Sequence, residues 1–330
     1  MNDELPLVSV LIPVHPRVTE VKSAEAARRF DYPREKLEIV LVRTTDLSIG
    51  PGVKRNAGLK AIHGELVYFL DDDSVAVPDN VRRAVRHFSD PKVKIIGGPN
   101  ICPPDAPLFE RVLGLVMGSW LAFGPSRTRY RAVGELRECG EKQLISSLLI
   151  ARRDAVMEVG FDPQLWPNEE NAMMNGVKAR GGKLLYDPEF LSRRRPRHNL
   201  HAYAKMLLFY GGGRAQQFRL YPSFDAWPNF IPPLFCLYLL ALPFLIAAFG
   251  SAKAVGLLVL APLICYVLVL LGQTVVVAAQ SNPGMAVLAL PLIFLTNLLY
   301  GLGFWRGLFI KIQPPPPAAE SDIRFETVPV

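Results

Sequence analysis

Apolar and polar positions follow two regimes along this chain. Up to about Arg219, short apolar runs of strand length alternate with stretches of helical spacing; beyond Asp225 the apolar positions are nearly continuous. In the first regime, Leu7-Val8-Ser9-Val10-Leu11-Ile12-Pro13 is an apolar run stopped by proline, and Leu37 to Val42, Leu66 to Leu70 and Val93 to Gly97 are three more. Helices are predicted around Ala24 to Phe30, Lys54 to Ile62 and Asn80 to Phe88. This βαβαβ rhythm predicts the α/β class, with a mostly parallel, Rossmann-like sheet covered by helices on both faces. Ligands of such sheets lie at the carboxyl edges of the strands, here Pro13-Val14-His15, Arg43-Thr44-Thr45-Asp46 and Asp71-Asp72-Asp73.

The second regime contains three apolar segments, Phe230 to Gly250, Val255 to Ala279 and Met285 to Trp305. Each is near or above the roughly 20 residues that cross a hydrocarbon core. Between Asp225 and Arg306 the only charged residue is Lys253, and the interruptions Gly250-Ser251-Ala252-Lys253 and Gln280-Ser281-Asn282-Pro283-Gly284 are turn-forming. The organisation expected is a catalytic-type domain over 1–191, a basic interfacial helical segment over 192–229, a transmembrane region of about three helices over 230–310, and a Pro-rich polar tail over 311–330. Met1-Asn2-Asp3-Glu4 is acidic and unlike a signal peptide, so the front domain is expected on the cytoplasmic side of a multi-pass cell-membrane protein, a bacterial inner membrane being the setting expected. Three crossings would carry Arg306 and Lys311 to the far side, against the positive-inside bias, so one segment is open to a re-entrant or interfacial reading.

Charge adds a location rather than a class. The 37 basic residues exceed the 30 acidic ones, and a dense basic group, Arg193, Arg194, Arg195, Arg197, Lys205, Arg214 and Arg219, stands directly before the first apolar segment. Interleaved with Tyr203, Met206, Leu207, Phe209 and Tyr210, it reads as an element lying on anionic lipid headgroups. Clustering against the membrane segments argues against nucleic acid as a partner. The four cysteines have no CxxC spacing, and the histidines are scattered, so neither type indicates a zinc site.

The candidate chemistry lies where Leu66 to Leu70 ends on Asp71-Asp72-Asp73. Adjacent acids repel one another and raise their pKa values unless something positive sits among them. A divalent cation, Mg²⁺ or Mn²⁺, bridging a diphosphate suits such hard oxygen ligands. A solvated acidic turn before the next helix is the other reading of the tripeptide.

Taken in order, Val8 to Val14, Lys54-Arg55-Asn56-Ala57-Gly58, His63-Gly64-Glu65, Phe69 to Asp73, Ala151-Arg152-Arg153-Asp154 with Val159-Gly160-Phe161-Asp162, and Asn168-Glu169-Glu170-Asn171 resemble the family 2 glycosyltransferases, inverting enzymes of the GT-A fold. Ser126 to Tyr130 and Tyr210-Gly211-Gly212-Gly213-Arg214 are similar to the membrane-anchored branch that assembles succinoglycan and other exopolysaccharides. The resemblance implies that Asp71 and Asp73 hold the divalent metal on the diphosphate of a nucleotide-sugar donor. It also implies that Pro13, His15, Arg55 and Asp72 line the donor site, and that Glu170 is the base, with Glu169 its rival. Trp166, Arg214, Gln216 and Arg219 are the acceptor or diphosphate candidates; Trp166 also reads as a core residue, and the arginines as headgroup ligands.

Two departures from the family pattern bear on these expectations. Gln216-Gln217-Phe218-Arg219-Leu220 is similar to a Q-x-x-R-W signature with Leu220 in place of Trp, which counts against processivity by that motif. Arg43-Thr44 stands where relatives carry an Asp that contacts the nucleotide base, leaving UDP, GDP and dTDP open as donor carriers. The reading that results is a membrane-anchored, metal-dependent hexosyltransferase acting on a polyprenyl-diphosphate-linked saccharide or another membrane-bound acceptor. Membrane lipid and other glycan-assembly membrane proteins are the further candidate partners. The alternatives are a processive polysaccharide synthase and a catalytically inactive glycan-binding scaffold.

Overall fold

The computed structural model describes residues 5–250, 253–312 and 322–330. It divides into two compact units, one formed by residues 1–103, 128–195 and 312–330 and the other by 104–127 and 196–311.

The first unit is built on the apolar runs read from the sequence: β1 (Val8–Pro13), β2 (Leu37–Arg43), β3 (Leu66–Leu70) and β5 (Val93–Gly97). With β7 (Arg137–Glu138), β8 (Leu148–Arg152), β9 (Lys183–Tyr186) and β11 (Arg324–Val328) they form an eight-stranded mixed sheet of order β11-β2-β1-β3-β8-β5-β9-β7. The strands β1, β2, β3, β5 and β9 run one way, and β7, β8 and β11 run against them. Every residue of β3 is buried because both faces are covered. Its Tyr68 packs into one core with α1 (Lys22–Ala27) and α3 (Asn80–Val85). Val67 and Phe69 enter the opposite core, with Leu59 of α2 (Pro51–Ala61), Val156 of α6 (Arg153–Val159) and Met173 of α7 (Glu169–Ala179). Alternation of side chains at period two thus explains why a continuous apolar run is needed.

Two features hold α2 to the sheet and to α6. Gly58 carries no Cβ where one would lie 2.4 Å from Leu11 Cδ1, so the helix can approach β1 closely. Asn56 accepts from the Phe161 N–H at 2.8 Å and donates to its carbonyl at 2.7 Å. The two motifs Asn56-Ala57-Gly58 and Gly160-Phe161 are therefore one structural joint.

A small sheet of order β4-β10-β6 stands beside the large one, made of β4 (Val75–Ala76), β6 (Asn100–Ile101) and β10 (Ser192–Arg193). The basic segment expected to be helical from residue 192 therefore begins as a strand, since its backbone groups are satisfied by β4 and β6. The helix starts only at α8 (Leu200–Leu220), where the Asn199 side chain accepts from the Ala202 N–H at 2.8 Å.

The second unit contains α8, α4 (Leu108–Met117), α5 (Trp120–Phe123), α9 (Ile231–Phe249), α10 (Lys253–Gln280) and α11 (Pro283–Phe309). Ala226–Phe249, Ala254–Gln280 and Pro283–Phe309 are long and apolar enough to cross a membrane. Tyr203 meets Thr296, Leu208 meets Gly303, and Arg219 meets Ile310, so α8 and α11 run in the same direction along their contact. Glycines at 211, 301, 303 and 307 permit backbone approach; a Cβ on Gly211 would lie 2.2 Å from the Tyr300 carbonyl oxygen. In the region read as a polar tail, residues 313–321 lie outside the described residues, whereas 324–328 form β11, paired antiparallel with β2.

Candidate donor site

At the carboxyl edge of β3, the three aspartates have separate surroundings. Asp71 is held on both oxygens, Oδ1 by Arg55 Nη2 at 3.0 Å and Oδ2 by Arg194 Nη1 at 2.9 Å. Asp73 Oδ1 accepts from Arg194 Nε at 2.8 Å. Asp72 instead turns to the β1 loop, where its Oδ2 accepts from the His15 N–H at 2.8 Å and its carbonyl accepts from the Ser23 N–H. Burial alone would push Asp71 up, but the Arg194 and Arg55 guanidiniums outweigh it and hold the carboxyl below its ordinary range. Asp72 moves the opposite way: burial and its neighbours Asp73 and Asp71 raise it, despite the His15 amide.

Arg55 carries the cluster to α7. Its side chain is 3% exposed and its Nη1 lies 3.0 Å from Glu169 Oε1. Burial, then the adjacent Glu170 charge, pushes Glu169 up to about 8, with Arg55 opposing. Glu170, in the same first turn, accepts from Ser146 Oγ at 3.2 Å and lies 4.0 Å from Arg129 Nη1. Arg129 is itself fixed by the Glu141 carbonyl and by Asn171. Lys54 reaches the end of β1, donating to the Val14 carbonyl at 2.8 Å, and burial holds its pKa below the ordinary lysine value.

The predicted residues thus separate into groups. Pro13, His15, Arg55, Asp71, Asp72 and Asp73 share the β1 and β3 edges, joined through Arg55 to Glu169. Trp166 is 46% exposed, its ring against Gly50, where a Cβ would stand 3.2 Å from Trp166 Cδ2; it is a surface residue rather than a core tryptophan. The remaining candidates are in the helical unit. Arg214 donates to Gln217 Oε1 at 3.0 Å, Gln216 is half-buried on α8, and Arg219 donates to the Gly307 and Ile310 carbonyls, capping the C-terminus of α11.

Sequence reasoning missed Arg194, Arg129, Ser146 and Lys54. Arg194 was assigned with its neighbours to the headgroup surface; pairing of β10 carries it to the acids instead. Lys54 and Arg129 did carry a signal, because Lys54 adjoins Arg55 and Arg129 lies in the Ser126 to Tyr130 motif. Arg43, the other departure, bonds Glu326 of β11 at 2.8 Å and the Val18 carbonyl at 3.2 Å.

Among the described residues, no group of three or more His, Cys, Asp or Glu is arranged to hold a metal ion. Asp71 and Asp73 nevertheless face one shared cation, the Arg194 guanidinium. Two hard carboxylates directed at a common positive charge are the donor type that would suit Mg²⁺ or Mn²⁺.

The mostly parallel mixed sheet with helices on both faces is the architecture of the GT-A glycosyltransferases. Residues 2–208 match the family described as "Glycosyltransferase like family 2", and the chain belongs to it. The pre-mycofactocin glycosyltransferase of Mycobacterium tuberculosis is 26% identical over 180 residues, which cover 51% of this chain and 35% of the relative. The mannosyltransferase PcManGT of Pyrobaculum calidifontis, solved with GDP-Man and Mn²⁺, aligns over 92% of this chain and 87% of its own with a TM-score of 0.53 and 18% identity.

Proposed function

We propose that this chain is a membrane-anchored inverting glycosyltransferase that transfers a sugar from a nucleotide-diphosphate donor to a polyprenyl-diphosphate-linked saccharide or another membrane-bound acceptor. The observation that carries the proposal is the chain of contacts from Asp73 through Arg194 to Asp71, and from Asp71 through Arg55 to Glu169 beside Glu170. This supports a reading in which the diphosphate-binding groups and the base, Glu170, lie within one site.

Asp71 and Asp73 would hold the divalent metal, which when bound supplies positive charge to the departing diphosphate. Arg55 fixes Asp71 in place, and Asp72 secures the β1 loop through the His15 amide. Glu170 accepts the proton of the acceptor hydroxyl as that oxygen bonds to the anomeric carbon and the bond from this carbon to the diphosphate oxygen breaks. One displacement inverts the anomeric centre, and the nucleoside diphosphate leaves. Exposed Trp166 offers a stacking face for the acceptor sugar. The three apolar helices and the basic α8 support a lipid-linked acceptor, since they hold the enzyme at headgroups. The Arg43 substitution does not favour an inactive scaffold, because Arg43 has a structural partner in Glu326.

The test is nucleoside-diphosphate release by the full chain in detergent, with Mn²⁺ or Mg²⁺, across a donor panel headed by GDP-mannose and UDP-sugars. Chelator should abolish release. Glu170→Gln should lower transfer by about 10²-fold or more while sparing donor binding, whereas retained transfer would remove Glu170 as the base. Polymer formed from donor alone would point to the processive synthase.

A further inference from the structure

The carboxylates that would hold the metal, Asp71 and Asp73, are already engaged by an arginine. Arg194 places Nη1 on Asp71 Oδ2 at 2.9 Å and Nε on Asp73 Oδ1 at 2.8 Å. Its backbone is fixed as well, since the Arg194 N–H donates to the Ile101 carbonyl at 3.0 Å in continuation of β10. The side chain therefore reaches the acids from a sheet rather than from a loose loop.

The two arginines on Asp71 differ in freedom. Arg55 is 3% exposed and also holds Glu169, whereas the Arg194 side chain is 25% exposed and Asp73 is 50% exposed. Arg194 is thus the member that can leave. A divalent cation on Asp71 Oδ2 and Asp73 Oδ1 would take the same lone pairs and repel the guanidinium, so both cannot occupy the carboxylates together.

We propose that Arg194 is the resident counter-ion of the donor site: it neutralises Asp71 and Asp73 in donor-free protein, yields them to a divalent cation, and moves its guanidinium onto the diphosphate that arrives with the donor. A guanidinium fork fits phosphate oxygens as well as carboxylate. The exchange makes metal and nucleotide bind cooperatively, because each removes a cost that the other would meet. It rests on the donor-site reading given above.

The test is Mn²⁺ titration of the full chain in detergent, followed by the free-ion EPR signal, for wild type, Arg194→Gln, Arg194→Lys and Asp73→Asn. Without nucleotide, Arg194→Gln should bind Mn²⁺ about tenfold more tightly than wild type. Arg194→Lys, which keeps the charge but not the fork, should fall between. GDP or UDP should then tighten Mn²⁺ binding in wild type more than in Arg194→Gln. Equal Mn²⁺ affinity in wild type and both Arg194 variants, with Asp73→Asn weakened, would overturn the counter-ion role while keeping the metal site. Tighter binding by Arg194→Gln without a nucleotide effect in wild type would overturn the move to phosphate. No Mn²⁺ binding by any form, with or without nucleotide, would overturn both this proposal and the donor-site reading.

Discussion

Arg55 is the residue on which most of the site depends, with one buried guanidinium serving Glu169 and Asp71 at 3.0 Å each. Truncation leaves the buried Glu169 carboxyl without this hydrogen-bond partner, a change that typically costs about 1–3 kcal/mol. Arg55→Ala should therefore lower the thermal unfolding midpoint in detergent as well as donor binding, and an unchanged midpoint would contradict the assigned role. Glu169 gives a pH signature. Its folded pKa of about 8 lies above the ordinary 4.5, so its contribution to stability is full below the lower value and is lost as pH rises through the upper one. Glu169→Gln has no proton to lose. Its melting temperature relative to wild type should rise between about pH 5 and about pH 9, and a constant difference would count against a raised Glu169. At this scale the sequence disclosed the acids well, because three consecutive aspartates after an apolar strand are conspicuous. Arg194 was hidden because nothing distinguishes it locally from Arg193, Arg195 and Arg197; only its position after β10 gives it a different destination.

Elements were legible in proportion to their burial. The strands β1, β2, β3 and β5 and the three long apolar helices match their sequence signals closely, since continuous apolar runs have few ways to avoid water. The two-residue strands β4, β6 and β10 are too short for any period, and β11 is an edge strand exposed along Arg324 to Thr327. Their pairings depend on partners far away in sequence. The contact of α8 with α11 was likewise not evident from apolar content, although its glycines were visible. That contact makes a paired prediction. Gly211→Ala would put a methyl 2.2 Å from the Tyr300 carbonyl oxygen, whereas the nearest atom to a Cβ on Gly212 is 3.5 Å away. Overpacking of the first kind costs about 1–3 kcal/mol, so Gly211→Ala should lower the melting midpoint clearly and Gly212→Ala little. Equal effects would show that helix propensity rather than close packing governs the position.

For the whole molecule, the instructive feature is β11, which comes after all three apolar helices yet hydrogen-bonds along β2 through residues 324–328. Arg28 adds a bond to the Pro329 carbonyl at 3.1 Å, and Arg43 pairs with Glu326. A strand cannot pair through a bilayer, so a chain that leaves the β2 sheet through membrane-spanning helices would have to return to the same aqueous face. We therefore expect an even number of complete crossings among the three helices that are long and apolar enough to span. On this expectation α11 is the first candidate for a non-crossing segment, since 33% of its apolar window is buried against 6% for Ala254–Gln280. Single cysteines replacing exposed Glu35 and Arg324 in a cysteine-free background should react with an impermeant maleimide in vesicles of the same orientation; labelling from opposite sides would refute the even count. An even count would also return Arg306 and Lys311 to the side that carries the rest of the basic charge, so that the C-terminal strand would report the topology of the membrane region from outside it.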